Sequence, residues 1–247
     1  DDMDVSMGGF PEEEDWIFYG PYTDKSLIRN KLTFDLSNLI GYKASKTKFY
    51  NLTINDDFKG IYILMEKIKR DKNRVDIEKN SGSSVSGGYI IKIDKPTGDG
   101  GLCGTCYDDS FSFRSKYNTQ GNLSDLSEIY FLYEYPKADK ISDEQKEYIQ
   151  TYINDFESSL LSDEFNDIDN GYLDYIDLDS FINFFIINEI TKNIDGYRLS
   201  TFLNKDLNGK LKMGPIWDFN LAFGNADYCN GWTTSGWGFK FNDICPG

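Results

Sequence analysis

At 247 residues the chain is long enough to bury a sizeable core, as one large domain or as two lobes of one. Its 41 acidic against 26 basic side chains leave a formal charge of -15, which disfavours nucleic acid and anionic membrane as partners. Histidine is absent, which removes the commonest general base, the Ser-His and Cys-His nucleophile systems and most zinc sites. Catalysis would have to run on carboxylates, lysines or a hard metal held by oxygen, and Mg²⁺, Mn²⁺ or Ca²⁺ suit such ligands.

In chain order, the first strong pattern follows Asp24, read as an N-cap. Ile28, Leu32, Leu36, Leu39 and Ile40 fall on one helical face and Gly41 ends the run, so an amphipathic packing helix is predicted. Tyr50, Leu52 and Ile54 alternate as in a strand. The turn Asn55-Asp56-Asp57 and the apolar run from Gly60 to Glu66 complete a hairpin. A Gly- and Ser-rich stretch, 81 to 88, precedes a strand from Gly88 to Ile93, and an irregular Gly- and Cys-rich segment follows. Beyond Pro136 the period becomes helical. Ser142-x-x-Gln145 is a capping box opening a helix through Ile149, Tyr152, Ile153, Phe156 and Leu160. Phe181 to Ile190 is apolar nearly all round, which predicts a central helix covered on most sides. The acidic patch Asp167-x-Asp169-Asn170-Gly171 lacks EF-hand spacing and reads as a solvated turn.

The last third carries the candidate chemistry. Leu199 to Leu203, a polar turn Asn204 to Gly209, and Lys210 to Met213 predict a second hairpin. Pairing Leu203 with Lys210 would set Asp195 opposite Asp218 at its open end. Gathered carboxylates cost stability unless a cation or a proton transfer accounts for them, so the two aspartates form a candidate site. A carboxylate-pair glycosidase would also use two acids, but nothing else in the chain supports a sugar cleft.

Four cysteines, Cys103, Cys106, Cys229 and Cys245, permit three pairings. Local disulfides are favoured over a redox-active or metal-binding Cys-x-x-Cys, because no βαβ pattern precedes the pair and no second pair follows. With sequons at Asn51 and Asn122, they point to an oxidising, secreted setting. No run approaches the roughly 18 apolar residues of a membrane helix, and no signal sequence opens the chain, so a mature or trimmed form is expected.

Six blocks in order carry a family resemblance: Glu12-Glu-Glu-Asp-Trp-Ile, Gly20-Pro-Tyr-Thr-Asp-Lys25, Leu27-Ile-Arg-Asn30, Gly60-Ile-Tyr-Ile-Leu-Met-Glu-Lys-Ile-Lys69, Gly87-Gly-Tyr-Ile-Ile-Lys92 and Trp217-Asp-Phe-Asn-Leu-Ala-Phe-Gly224. Together they resemble the CotH family of spore-coat-type proteins, regarded as atypical secreted kinases, over nearly the whole chain. The resemblance implies an α+β, two-lobed, protein-kinase-like fold, with a sheet-rich part over 1–137 and a helical part over 138–247 that holds the catalytic and metal loops. It implies transfer of the γ-phosphoryl group of ATP to a protein hydroxyl with Mg²⁺ or Mn²⁺, Ca²⁺ being a third candidate.

By that resemblance Asp195 is the catalytic aspartate and Asp218 the metal ligand. Glu66 and Lys92 would face the nucleotide, with Glu66 placed to orient a phosphate-binding lysine; the plainer reading makes Glu66 an exposed partner of Lys67 or Lys69. Lys92 could equally point to water from an alternating strand. Trp217 and Trp16 could stack on a base or belong to the core. Asn220 stands where the family often has a second acid and would be an oxygen ligand. Ser200 stands where an Asn often holds a second metal, which leaves the metal number open. The family's usual N-terminal Arg-Gly-Ser-type stretch and its helical continuation are not found here, so truncation at both ends is expected. The alternative function is a pseudokinase, a binding module in a coat, wall or cellulosome-type extracellular assembly.

Overall fold

The computed structural model describes residues 3–80, 84–96, 106–124 and 128–245. Among them the fold is α+β, with two antiparallel sheets and four α-helices. The chain divides into two compact units, each assembled from separated segments. Unit 1 comprises residues 1–68, 183–197 and 215–247, and unit 2 comprises 69–182 and 198–214. The change of period at Pro136 thus falls within unit 2.

Unit 1 holds a three-stranded sheet in the order β1-β3-β2, from β1 (Trp16–Tyr19), β2 (Thr47–Ile54) and β3 (Asp57–Glu66). Asn55 and Asp56 both take positive φ, 49° and 63°, as a tight two-residue hairpin turn requires, so the predicted β2–β3 hairpin forms. Only the last four residues of β3, Ile63 to Glu66, are buried, where β1 lies alongside.

Helix α1 (Arg29–Leu39) precedes β2, but its buried residues are Asn30, Thr33, Phe34 and Ser37. The predicted apolar face is the outer one: Ile28, Leu32, Leu39 and Ile40 are exposed. Ile28 lines a shallow groove with Leu27, Phe49 and Ile61. The N-cap also moves. Leu27 turns left-handed at φ 65° and Ile28 becomes the capping position, while the Asp24 carboxylate still accepts the Arg29 backbone N–H at 2.8 Å. Burial pushes the Asp24 carboxyl up, but hydrogen bonds from Ser26 and Arg29 outweigh it and hold it below the usual carboxylate range.

Unit 2 is built on a five-stranded sheet in the order β5-β6-β4-β7-β8. Its strands are β4 (Tyr89–Ile93), β5 (Ser112–Arg114), β6 (Tyr130–Tyr135), β7 (Thr201–Lys205) and β8 (Leu211–Met213). The central strand β4 buries Tyr89, Ile90 and Ile91 in succession, which explains why it reads as a continuous apolar run. Helix α2 (Asp143–Leu160) opens on the expected capping box and drives Ile149 and Ile153 into a core with Ile91, Phe113, Phe131, Tyr133, Leu203 and Leu211.

Helix α3 (Leu178–Thr191) has residues in both units. Phe184, Ile187 and Asn188 are buried, whereas Ile182, Phe185, Ile186 and Ile190 are 38–68% exposed. The expectation of a helix covered on most sides is therefore corrected. Apolarity all round recorded a helix with one inner face, and sequence alone cannot separate that from full enclosure. The short α4 (Phe241–Ile244) closes the described chain, just before the Cys229–Cys245 disulfide. That bond is local, as expected. Cys103 lies outside the described residues.

Candidate active site

Asp195 sits on the turn that follows α3. Lys192 breaks the helix with φ 48°, after which the Asn193 N–H donates to the Asn188 carbonyl at 3.0 Å and the Gly196 N–H to the Asn193 carbonyl at 3.1 Å. The side chains of Asn188 and Asn193 form the floor of this turn and are at most 1% exposed. Asn188 Nδ2 donates to the Phe184 carbonyl, while the Oδ1 atoms of both asparagines are buried without a hydrogen-bond partner among the described residues. A Cβ at position 196 would lie 1.9 Å from Asn188 Oδ1, so only glycine fits directly after Asp195.

The tail packs onto this turn. Tyr228 Oη donates to Asp195 Oδ2 at 2.7 Å. The Glu189 carboxylate accepts the Tyr197 hydroxyl at 2.6 Å and the backbone N–H groups of Gly238 and Phe239 at 2.7 and 2.9 Å. Burial, and then Glu189 as acceptor and charge, push the Tyr197 hydroxyl well above the ordinary tyrosine value.

Asp218 lies on a second loop of the same unit and is exposed, with φ 58°. A left-handed non-glycine residue costs of order 1–3 kcal/mol and persists only where its neighbours fix it. They do so here. The next residue, Phe219, is 1% exposed, and its N–H donates to Oδ1 of the buried Asn30 on α1. The rings of Trp217 and Phe219 pack on Phe34 at 5.9 and 6.5 Å. Asn220 Nδ2 donates to Thr23 Oγ1 at 3.2 Å, and Asn225 Nδ2 to the Thr23 carbonyl at 3.3 Å. The loop ends with the Phe223 N–H donating to the Thr191 carbonyl at 2.7 Å, a direct tie to the helix end that leads into Asp195.

The electrostatics of the second loop are reported by Tyr19. Its hydroxyl is pushed up to about 12, first by burial and then by the negative charges of Asp218 and Asp24.

Residues 2–244 match the family described as CotH kinase protein. The chain belongs to that family. Its description suggests an atypical kinase. No curated protein matches the chain.

Three of the blocks that carry the CotH resemblance thus meet in unit 1: Thr23 and Asp24, Asn30, and the segment from Trp217. The hairpin meant to align the two aspartates is corrected. It forms, but Leu203 opposes Met213 rather than Lys210, and its strands belong to unit 2 while Asp195 and Asp218 belong to unit 1. The connection between β7 and β8 runs from Asp206 to Lys210, later than the expected turn at Asn204 to Gly209, with Asn208 at φ 53°. The loops bearing the aspartates are held instead by the Thr191–Phe223 bond.

Glu66 ends β3 at 4% exposure, and its Oε2 accepts the Lys46 N–H at 2.9 Å. That burial overturns the alternative of an exposed partner for a neighbouring lysine, and Lys67 lies 3.4 Å from Asp15. Lys92, on β4 of unit 2, lies 3.5 Å from Glu134 in a largely buried pair. Trp16 stacks on Phe10 at 6.0 Å, and its indole N–H donates to the Glu13 carbonyl. Glu13, Glu14 and Asp15 bring carboxylate oxygens together, the sole such acidic group among the described residues. No helix among those residues is long and apolar enough to cross a membrane.

Sequence reasoning did not single out Tyr228, Glu189, Tyr19 or Asn30 for roles at these loops. Asn30 stood in a resemblance block and Tyr228 beside a cysteine, which are the signals that pointed toward them.

Proposed function

We propose that the chain is an atypical, secreted, protein-kinase-like enzyme that transfers the γ-phosphoryl group of ATP to a protein hydroxyl. The observation that carries this reading is the pairing, within one compact unit of a CotH kinase chain, of the Asn193-x-Asp195 turn with the Trp217-Asp218 loop through the Thr191–Phe223 bond. Asp195 orients the acceptor hydroxyl and takes its proton. The acceptor oxygen then bonds to the γ-phosphorus as the bond to the β-bridging oxygen breaks, and ADP leaves.

The residues present fit a hard divalent ion. The loop offers oxygen ligands, and the charges of Asp218 and Asp24 that raise the Tyr19 hydroxyl make a negative potential there. Asp218, with Asn220, would hold Mg²⁺ or Mn²⁺, which when bound neutralises charge on the nucleotide phosphates. Glu66 and Trp217, both of unit 1, are assigned to the nucleotide by the family resemblance. The Cys229–Cys245 disulfide supports an oxidising compartment.

A non-catalytic assembly module is the second reading. It is favoured by the neutral Asn220, whose amide pins the loop to Thr23. Transfer of labelled phosphate from ATP should require Mg²⁺ or Mn²⁺ and should fall at least about a hundredfold in Asp195→Asn and in Asp218→Asn, which keep shape and remove charge. Transfer that survives both changes would falsify the assignment. Metal-dependent thermal stabilisation by ATP without transfer would favour the second reading.

A further inference from the structure

We propose that Tyr228 is a positioning residue for Asp195, and that the tail from Tyr228 to Phe239 acts as a strap fixing the turn that carries this carboxylate. The proposal rests on the role given to Asp195 above. An aspartate on a turn can rotate about its terminal torsion, and a general base must meet the hydroxyl proton within hydrogen-bond reach. The Tyr228 hydroxyl, 2.7 Å from Oδ2, fixes the plane of that carboxylate with a hydrogen bond to a charged acceptor.

The tyrosine is itself held firmly. Cys229 joins Cys245, and Cys229 and Asn230 take left-handed φ of 50° and 55°, which swings the tail back after Tyr228. The Gly231 N–H closes the bend onto the Tyr228 carbonyl at 2.9 Å. Farther on, Lys192 Nζ donates to Thr233 Oγ1 at 2.8 Å, and Glu189 accepts the Gly238 and Phe239 N–H groups. The strap therefore grips the end of α3 at position 189 and the turn after it at positions 192 and 195. The last of these grips acts on the proposed catalytic group through a hydroxyl that Tyr228→Phe removes while keeping the ring.

The test is steady-state transfer from ATP to casein by the full chain, with MnCl₂, alongside thermal unfolding. Loss of a hydrogen bond to a charged group predicts a fall in kcat of about ten- to a hundredfold in Tyr228→Phe, with KM for ATP nearly unchanged. In thermal unfolding, Tyr228→Phe and Asp195→Asn should be non-additive, because they remove the two ends of one bond. An undiminished kcat in Tyr228→Phe, or strict additivity of the two changes, overturns the positioning role and leaves the kinase reading standing. Absence of transfer by the unsubstituted chain overturns the kinase reading and this proposal with it.

Discussion

Lys205 illustrates what a single side chain can demand of a fold. It is 1% exposed at the end of β7, its Nζ donates to the Ser86 carbonyl at 2.6 Å, and it lies 4.7 Å from the centre of the Tyr152 ring and 5.2 Å from that of Tyr148. Carbonyls and ring faces replace only part of the hydration an ammonium loses, so burial lowers its pKa from 10.5 to about 8 against the opposing charge of Asp206. The linkage has a definite sign. Between about pH 8 and 10.5 the unfolded chain carries this proton and the folded chain has released it, so stability from this group rises with pH in that window and is flat below it. Tyr19, Tyr89, Tyr133 and Tyr152, raised to about 12, act oppositely above pH 10, where the unfolded chain loses protons first. Lys205→Met should therefore flatten the slope of the unfolding midpoint between pH 8 and 9.5 relative to the unsubstituted chain. An unchanged slope would show that the lysine keeps its ordinary affinity for the proton.

At the scale of elements, features written in local chemistry were legible and those set by partners were not. The capping box at Ser142 needs only four residues. Both halves form, with Ser142 Oγ accepting the Gln145 N–H at 3.3 Å and Gln145 Oε1 accepting the Ser142 N–H at 2.9 Å. Ser142→Ala should lower stability by about 1 kcal/mol, read as a drop in the thermal midpoint; no drop would mean the helix start is held by packing alone. The β2–β3 turn was equally plain. By contrast, the face of α1 was read from hydrophobicity, whereas the buried side is chosen by Asn30 and Phe34, which hold the Asp218 loop. A polar residue that anchors a distant backbone leaves no periodic signal. The β7–β8 register failed for a related reason, since β7 is fixed by β4 on its other side, with Ile91 opposite Leu203, as much as by its own turn. The candidate aspartates were legible because residue type and motif announce them. The strap that holds one of them was not, because its contacts join residues 33 to 50 positions apart.

The whole molecule is interleaved, and this sets what can be cut from it. Strand β7, from the last fifth of the chain, lies beside β4 in the sheet of unit 2, while Asn30 of unit 1 holds Phe219 from 189 residues away. Closing so long a loop costs little more entropy than closing a shorter one, because the cost grows only logarithmically with length. Severing the chain makes the same contacts intermolecular and forfeits that advantage. A fragment ending at residue 137 would keep β4 but lose β7, and would keep Asn30 but lose Phe219. A fragment starting at 138 would leave Leu203 and Leu211, 5% and 0% exposed in the intact chain, without the sheet that covers them. Exposing even a few such core side chains costs about 1.5–3 kcal/mol each, against a total stability of about 5–15 kcal/mol for a typical protein. Neither half should therefore show a cooperative thermal transition by itself, and mixing the two should restore one only at high concentration. A sharp transition in the 138–247 half alone would show that the β4 ladder is dispensable to β7 and that the helical part is an autonomous folding unit.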